Sequence, residues 1–162
     1  MRKWIIALLL WSGLATAAPA VLPNLELTPG VARTDLTIEK ICHTKWGLDK
    51  RHVTAVMKRE VEKAYHFKAS ECPSGRVEID HLISRELGGA DDVKNLWPQC
   101  YEKHIKGKHP SQVKEWGAYK KDRLENRLNK ELCAGHLSLK AARKAETEDW
   151  RVAYKQYFGE PQ

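Results

Sequence analysis

Residues 77–98 constrain this 162-residue chain more tightly than any other stretch. Positions 77–83 are rich in β-branched side chains, Gly88-Gly89 followed by Asp91-Asp92 is turn chemistry, and Asn95-Leu-Trp reads as a second short strand stopped by Pro98. The pattern predicts a hairpin. Its connection is longer than a tight turn, so the loop carries side chains of its own. The flanking sequence reads as helices: a short one from Thr34-Asp35 to near Cys42, and a longer one from Leu48-Asp49 to about Tyr65. A third spans 112–133 with Ser111 as its cap, and a last one runs from Ser138 to about Phe158. Val53, Val56, Met57 and Val61 stripe the second helix, and Leu124, Leu128 and Leu132 the third, as core-facing residues do. The expected class is α+β and mostly helical.

Asp80 and His81 end the first strand side by side. Neighbouring strand residues point to opposite faces, so the pair can approach one phosphate from two sides. A carboxylate is a hard ligand suited to Mg²⁺, Mn²⁺ or a similar ion, and an imidazole titrating near neutrality can take a proton from water. His81 is therefore the candidate base and Asp80 the candidate metal ligand. Asn95, on the returning strand, is placed to tie down the loop that aims the imidazole. His52 and His66 read as surface or packing residues.

Asp80-His81, then Gly88-Gly89, then Asn95-Leu-Trp-Pro98 resembles the HNH endonucleases. The likeness is closer to small secreted bacterial HNH-like proteins that read Asp-His-Leu-Ile-Pro-x-Glu-Leu-Gly-Gly before Asn-Leu-Trp-Pro. It continues into Lys121-Asp-Arg-Leu-Glu-Asn126 and Cys133-Ala-Gly135. Ser84 stands where those sequences have proline, which predicts a looser loop after His81. The resemblance implies a ββα hairpin-helix centre with supporting helices, one divalent metal ion and hydrolysis of phosphodiesters in DNA or RNA. It also implies that Asp122 or Glu125 completes the metal site, the other acid holding a basic neighbour such as Lys121. His104, nine residues after Asn95, is the competing ligand by spacing.

Residues 1–17 have a positive start, a short apolar run and an Ala-Thr-Ala ending, the pattern of a secretory signal peptide. A secreted or periplasmic protein with no stable membrane association is expected after cleavage. Removing Arg2 and Lys3 with this segment leaves 26 basic against 21 acidic side chains. Residues 101–130 hold nine Lys or Arg against four acids, enough to account for the whole excess. Nucleic acid is the partner such a segment attracts, with Lys120, Lys121, Arg123 and Arg127 as candidate phosphate contacts. The bland alternative is a solvated helix face.

Four cysteines in an exported chain favour disulfides, and four allow three connectivities. If His81 and Asn95 lie roughly opposite in the hairpin, Cys100 faces the neighbourhood of Arg76, close to Cys72. That favours 72 with 100 and leaves 42 with 133, the outer pair that the resemblance implies. Residues 18–33, with Pro19, Pro23, Pro29 and Gly30, read as an extended, mobile leader without chemistry, and 34–162 as a single nuclease-like domain, a monomer. Two further readings stand beside the nuclease: an inactive disulfide-stapled module that binds nucleic acid or another polyanion, and a toxin or effector domain with an inhibitor protein as partner.

Overall fold

The computed structural model describes residues 21–161; the expected signal peptide and residues 18–20 of the leader lie outside them. Among the described residues the chain forms an α+β fold of five helices and one antiparallel hairpin. The order is α1 (Ile38–His43), α2 (Ala55–Tyr65), β1 (Val77–His81), β2 (Leu96–Cys100), α3 (Ala118–Cys133), α4 (Leu139–Thr147) and α5 (Trp150–Phe158). None of these helices is long and apolar enough to cross a membrane.

β1 and β2 pair in the register Val77↔Cys100 through His81↔Leu96. The first strand is shorter than its β-branched run, ending at His81, and the second runs through Pro98 instead of stopping there. The ladder continues with Leu82 N–H to Asn95 O and Tyr101 N–H to Arg76 O. Bonded pairs alternate along an antiparallel ladder, so Pro98 opposite Ile79 falls in a non-bonded pair, where a missing N–H costs nothing.

The two faces of the hairpin are covered differently. Ile79 and Leu96 pack with Val61, Met57 and Val53 under α2. On the other face, Asp80 reaches Lys121 of α3. The larger core lies beyond, where Leu124, Leu128 and Leu132 of α3 meet Ile41, Ile83, Leu87, Ala142, Trp150 and Tyr154.

Helix boundaries depart from local periodicity wherever distant polar groups intervene. α2 starts at Ala55, capped by Thr54, because residues 49–52 spend their polar groups on the hairpin region. There Arg51 donates to Ile79 O, Asp49 pairs with Arg85, and His52 N–H donates to Asp91. Val56, expected on the apolar stripe, is exposed. α3 starts at Ala118 rather than near Ser111 because the Glu102 carboxylate accepts from Tyr119 N and Lys120 N, capping the helix from outside. The last expected helix is two: Ser138 caps α4 as anticipated, the chain extends at Glu148, and Asp149 caps α5.

Residues 21–33 are built into the body. Thr28 is buried, its hydroxyl donating to Leu96 O at 2.8 Å and meeting Tyr65 Oη at 2.7 Å. Ala32 bridges Gly89, and the Trp150 indole donates to Val21 O. This proline-containing segment turns at residues 25–27, and its polar groups are spent on α2, the hairpin and α5.

Both expected disulfides are present, Cys42–Cys133 and Cys72–Cys100. Such bonds fit an oxidising compartment. The sequence separations of 91 and 28 residues correspond on the chain-entropy account to about 4.6 and 3.6 kcal/mol of stabilisation. Reduction is accordingly expected to lower the melting temperature by more than 10 °C; an unchanged melt after verified reduction would show that packing alone holds the fold.

Candidate active site

The loop between the strands is shaped by two glycines. Gly88 closes a short 3-10 turn at φ +81°, a conformation that favours glycine. At Gly89 a Cβ would sit 1.8 Å from Ile83 O, so only hydrogen fits. The approach lets Asn95 knit the loop together. Its Oδ1 accepts from Ile83 N at 3.0 Å and Val31 N at 3.2 Å, and its Nδ2 donates to Ile83 O and Ala90 O, both at 3.0 Å. Asn95 is fully buried, and the loop it binds is the one that follows His81. Asn95→Ala leaves four backbone groups short of a partner and is expected to cost about 2–3 kcal/mol after water and relaxation recover part. Urea unfolding checks this, and a loss below about 1 kcal/mol would assign the loop's order to the glycines instead.

His81 is nearly buried, and its Nε2 lies 2.7 Å from Asp91 Oδ1. Burial works against the Asp91 charge, but His52 N–H and the His81 ring hold its pKa below the usual carboxylate value. Nε2 therefore carries the hydrogen, and the basic lone pair is on Nδ1. Burial, with Arg51 nearby, lowers the His81 pKa against the pull of Asp80 and Asp91, so the ring is neutral at pH 7. Asp91 was legible only as a turn residue. Nothing local marks it as the partner of a histidine ten positions back.

Asp80, adjacent in sequence, faces the other way. Its Oδ2 accepts from Lys121 Nζ at 2.8 Å, and the same ammonium donates to His81 O at 2.7 Å and to Glu125. Burial opposes the charge on Asp80, but Lys121 keeps its carboxyl below the ordinary value. For Glu125 burial wins, with Asp80 and Glu146 adding repulsion, and its carboxyl is pushed well up. Glu146 of α4, fully buried, is raised to about 7 by burial. Its Oε2 accepts from Ser84 N at 2.8 Å. The loop after His81 is therefore anchored where a looser one was expected, through an N–H that a proline at position 84 would lack. Glu146 is a site residue that no motif announced.

The expected metal set is only partly brought together. Asp80 and Glu125 line one cleft with His81, Ser84, Arg85 and Trp46. Asp122 is outside that lining and is raised to about 7 by burial and by repulsion from Asp80 and Glu78. His104 is an exposed loop residue away from the cleft, so its spacing from Asn95 has no structural counterpart. Among the described residues no group of three or more His, Cys, Asp or Glu side chains is arranged to hold a metal ion. A caged site is therefore missing from this set. Asp80 and Glu125, the acids of this set that share the cleft, are both bonded to Lys121; a Mg²⁺-type ion that keeps its waters requires only one or two carboxylates plus a substrate phosphate.

The expected phosphate contacts also divide. Lys120 and Lys121 are fully buried; Lys120 Nζ donates to Val113 O and Glu115 O, and Lys121 is spent as described. Neither can meet a polyanion. Arg123 and Arg127 are exposed, the first stacked 4.0 Å over Phe158 and the second bridged to Glu131 and over Tyr157. Arg123 lines a different cavity, with Tyr154 and Phe158.

No family model, curated protein or solved structure matches this chain. What it does is therefore argued from the site itself.

Proposed function

We propose that the chain is an exported endonuclease of the HNH type that hydrolyses phosphodiester bonds of DNA or RNA with little base specificity. The observation that carries this is the oriented imidazole: His81, its Nε2 held by Asp91, on the wall of a cleft that also holds Asp80 and Glu125. The antiparallel hairpin followed by α3 supplies the ββα order the reading requires.

In this mechanism His81 Nδ1 takes a proton from the attacking water, and Asp91 stabilises the imidazolium that forms. Asn95 and Glu146 hold the loop that follows, so that the ring's position survives proton transfer. Lys121 fixes the carboxylates of Asp80 and Glu125 against the hairpin. A divalent ion, when bound by those two residues, supplies charge stabilisation at the phosphate.

The test is degradation of plasmid, single-stranded DNA and RNA by the mature protein with Mg²⁺, Mn²⁺ or chelator. Metal-stimulated cleavage by wild type that is lost in His81→Ala supports the reading. Binding without cleavage under every ion would replace it with the inactive polyanion-binding module.

A further inference from the structure

We propose that the cleft beside His81 receives an unpaired nucleotide whose base stacks on Trp46, making single-stranded nucleic acid the preferred substrate; this rests on the nuclease reading. A cavity of about 490 Å³ lined by Arg33, Trp46, Lys50, His52, Arg85 and Asp91 adjoins the smaller cleft, about 180 Å³, that holds Asp80 and His81. Trp46, Asp49 and Arg85 line both, so the two lie side by side across the Asp49–Arg85 ion pair with Trp46 in the wall of each. The larger volume falls within the usual span for small-ligand sites, roughly 300–1,000 Å³.

Trp46 is suited to a platform. Its indole N–H donates to Ile41 O at 2.9 Å, and it packs at the edge of the main core four residues from the disulfide-bonded Cys42. The ring is half-buried, anchored at its polar edge, and still part of both cavity walls. A face fixed in this way offers stacking to any base, without reading its hydrogen-bonding edge.

Charge divides the two cavities. Asp80 and Glu125 line the smaller cleft, where on the nuclease reading the ion would meet the phosphate. In the larger cavity both acids are engaged, Asp49 by Arg85 and Asp91 by His81 and His52 N–H. Lys50 is exposed there, and Arg33 pairs with the exposed Asp35, a surface pair that a phosphate can replace. An uncharged base enters the larger cavity beside Trp46 while its backbone runs past Arg33 and Lys50, with the adjoining phosphate at the neighbouring cleft that holds His81. A duplex reaches the same arrangement only by unpairing a base.

The experiment uses the full mature chain carrying His81→Ala, so that binding is read without cleavage. Anisotropy is measured for a labelled single-stranded DNA 8-mer, the same sequence as a duplex, and an 8-mer with abasic central positions. The single strand should bind at least about tenfold tighter than the duplex, and the abasic strand about ten- to a hundredfold weaker than the intact one, the usual worth of base stacking. Adding Trp46→Ala should cost a similar factor on the intact strand and little on the abasic one, whereas Trp46→Phe retains most of the affinity. Equal affinity for intact and abasic strands, or for strand and duplex, overturns the proposal even if the alanine variant fails to fold. The nuclease reading fails separately, if wild type cleaves no nucleic acid; a wild type that cleaves while strand and duplex bind alike removes only the strand preference.

Discussion

His81→Ala is expected to lower the rate of phosphodiester cleavage by about 10²- to 10⁴-fold, the share a positioned general base contributes, while nucleic-acid affinity stays within about threefold because the ring acts on water. Asp91→Asn should reproduce part of that loss. It keeps the shape of the partner, but it removes the charge that stabilises the imidazolium and no longer fixes the hydrogen on Nε2. The decisive measurement is single-turnover cleavage of a labelled strand by the purified, fully oxidised variants. A rate near wild type in His81→Ala would withdraw the assignment of the base and leave the histidine as a buried hydrogen-bond partner of Asp91.

The second large effect belongs to Lys121. Its ammonium is enclosed, and all three of its hydrogens are committed, to Asp80, His81 O and Glu125. Burial by itself would lower its pKa, but Asp80 and Glu125 raise it, so it is charged throughout the ordinary pH range. Lys121→Met removes the cation bonded to both Asp80 and Glu125, and stranding buried charge in this way costs about 3–5 kcal/mol. The exposed lysine expected from sequence would cost only a few tenths when replaced. Chemical denaturation separates the two by a wide margin. Adding Glu125→Gln to Lys121→Met should recover part of the loss, because one of the stranded carboxylates is then gone. A single variant as stable as wild type would mean that the cluster protonates at no cost.

What could be read in the sequence was local. The β-branched run, the paired glycines and Asn95 lie within twenty residues of one another, and their turn and strand preferences specify the hairpin almost alone. The inner disulfide followed from that hairpin's register. Lys120 and Lys121 show what composition hides, since a buried lysine counts the same as a surface one. A signal was present: Lys121, Leu124, Leu128 and Leu132 recur at helical spacing, which puts Lys121 on the apolar stripe. Asp91, Glu146, Trp46 and the Glu102 cap are different. Each works through a partner 10 to 62 residues away or through a cavity wall, and no short-range preference encodes such a meeting.

The site draws on residues from Val31, bonded to Asn95, to Glu146, bonded to Ser84. A chain that is synthesised or threaded N-terminus first thus possesses His81, Asp91 and Asn95 well before it has Lys121 or Glu146. Cys42 must also wait for Cys133. On the nuclease reading, a stalled, truncated or still reduced chain carries its base without the scaffold that aims it. On that reading the order of assembly would spare the producing cell's own nucleic acid.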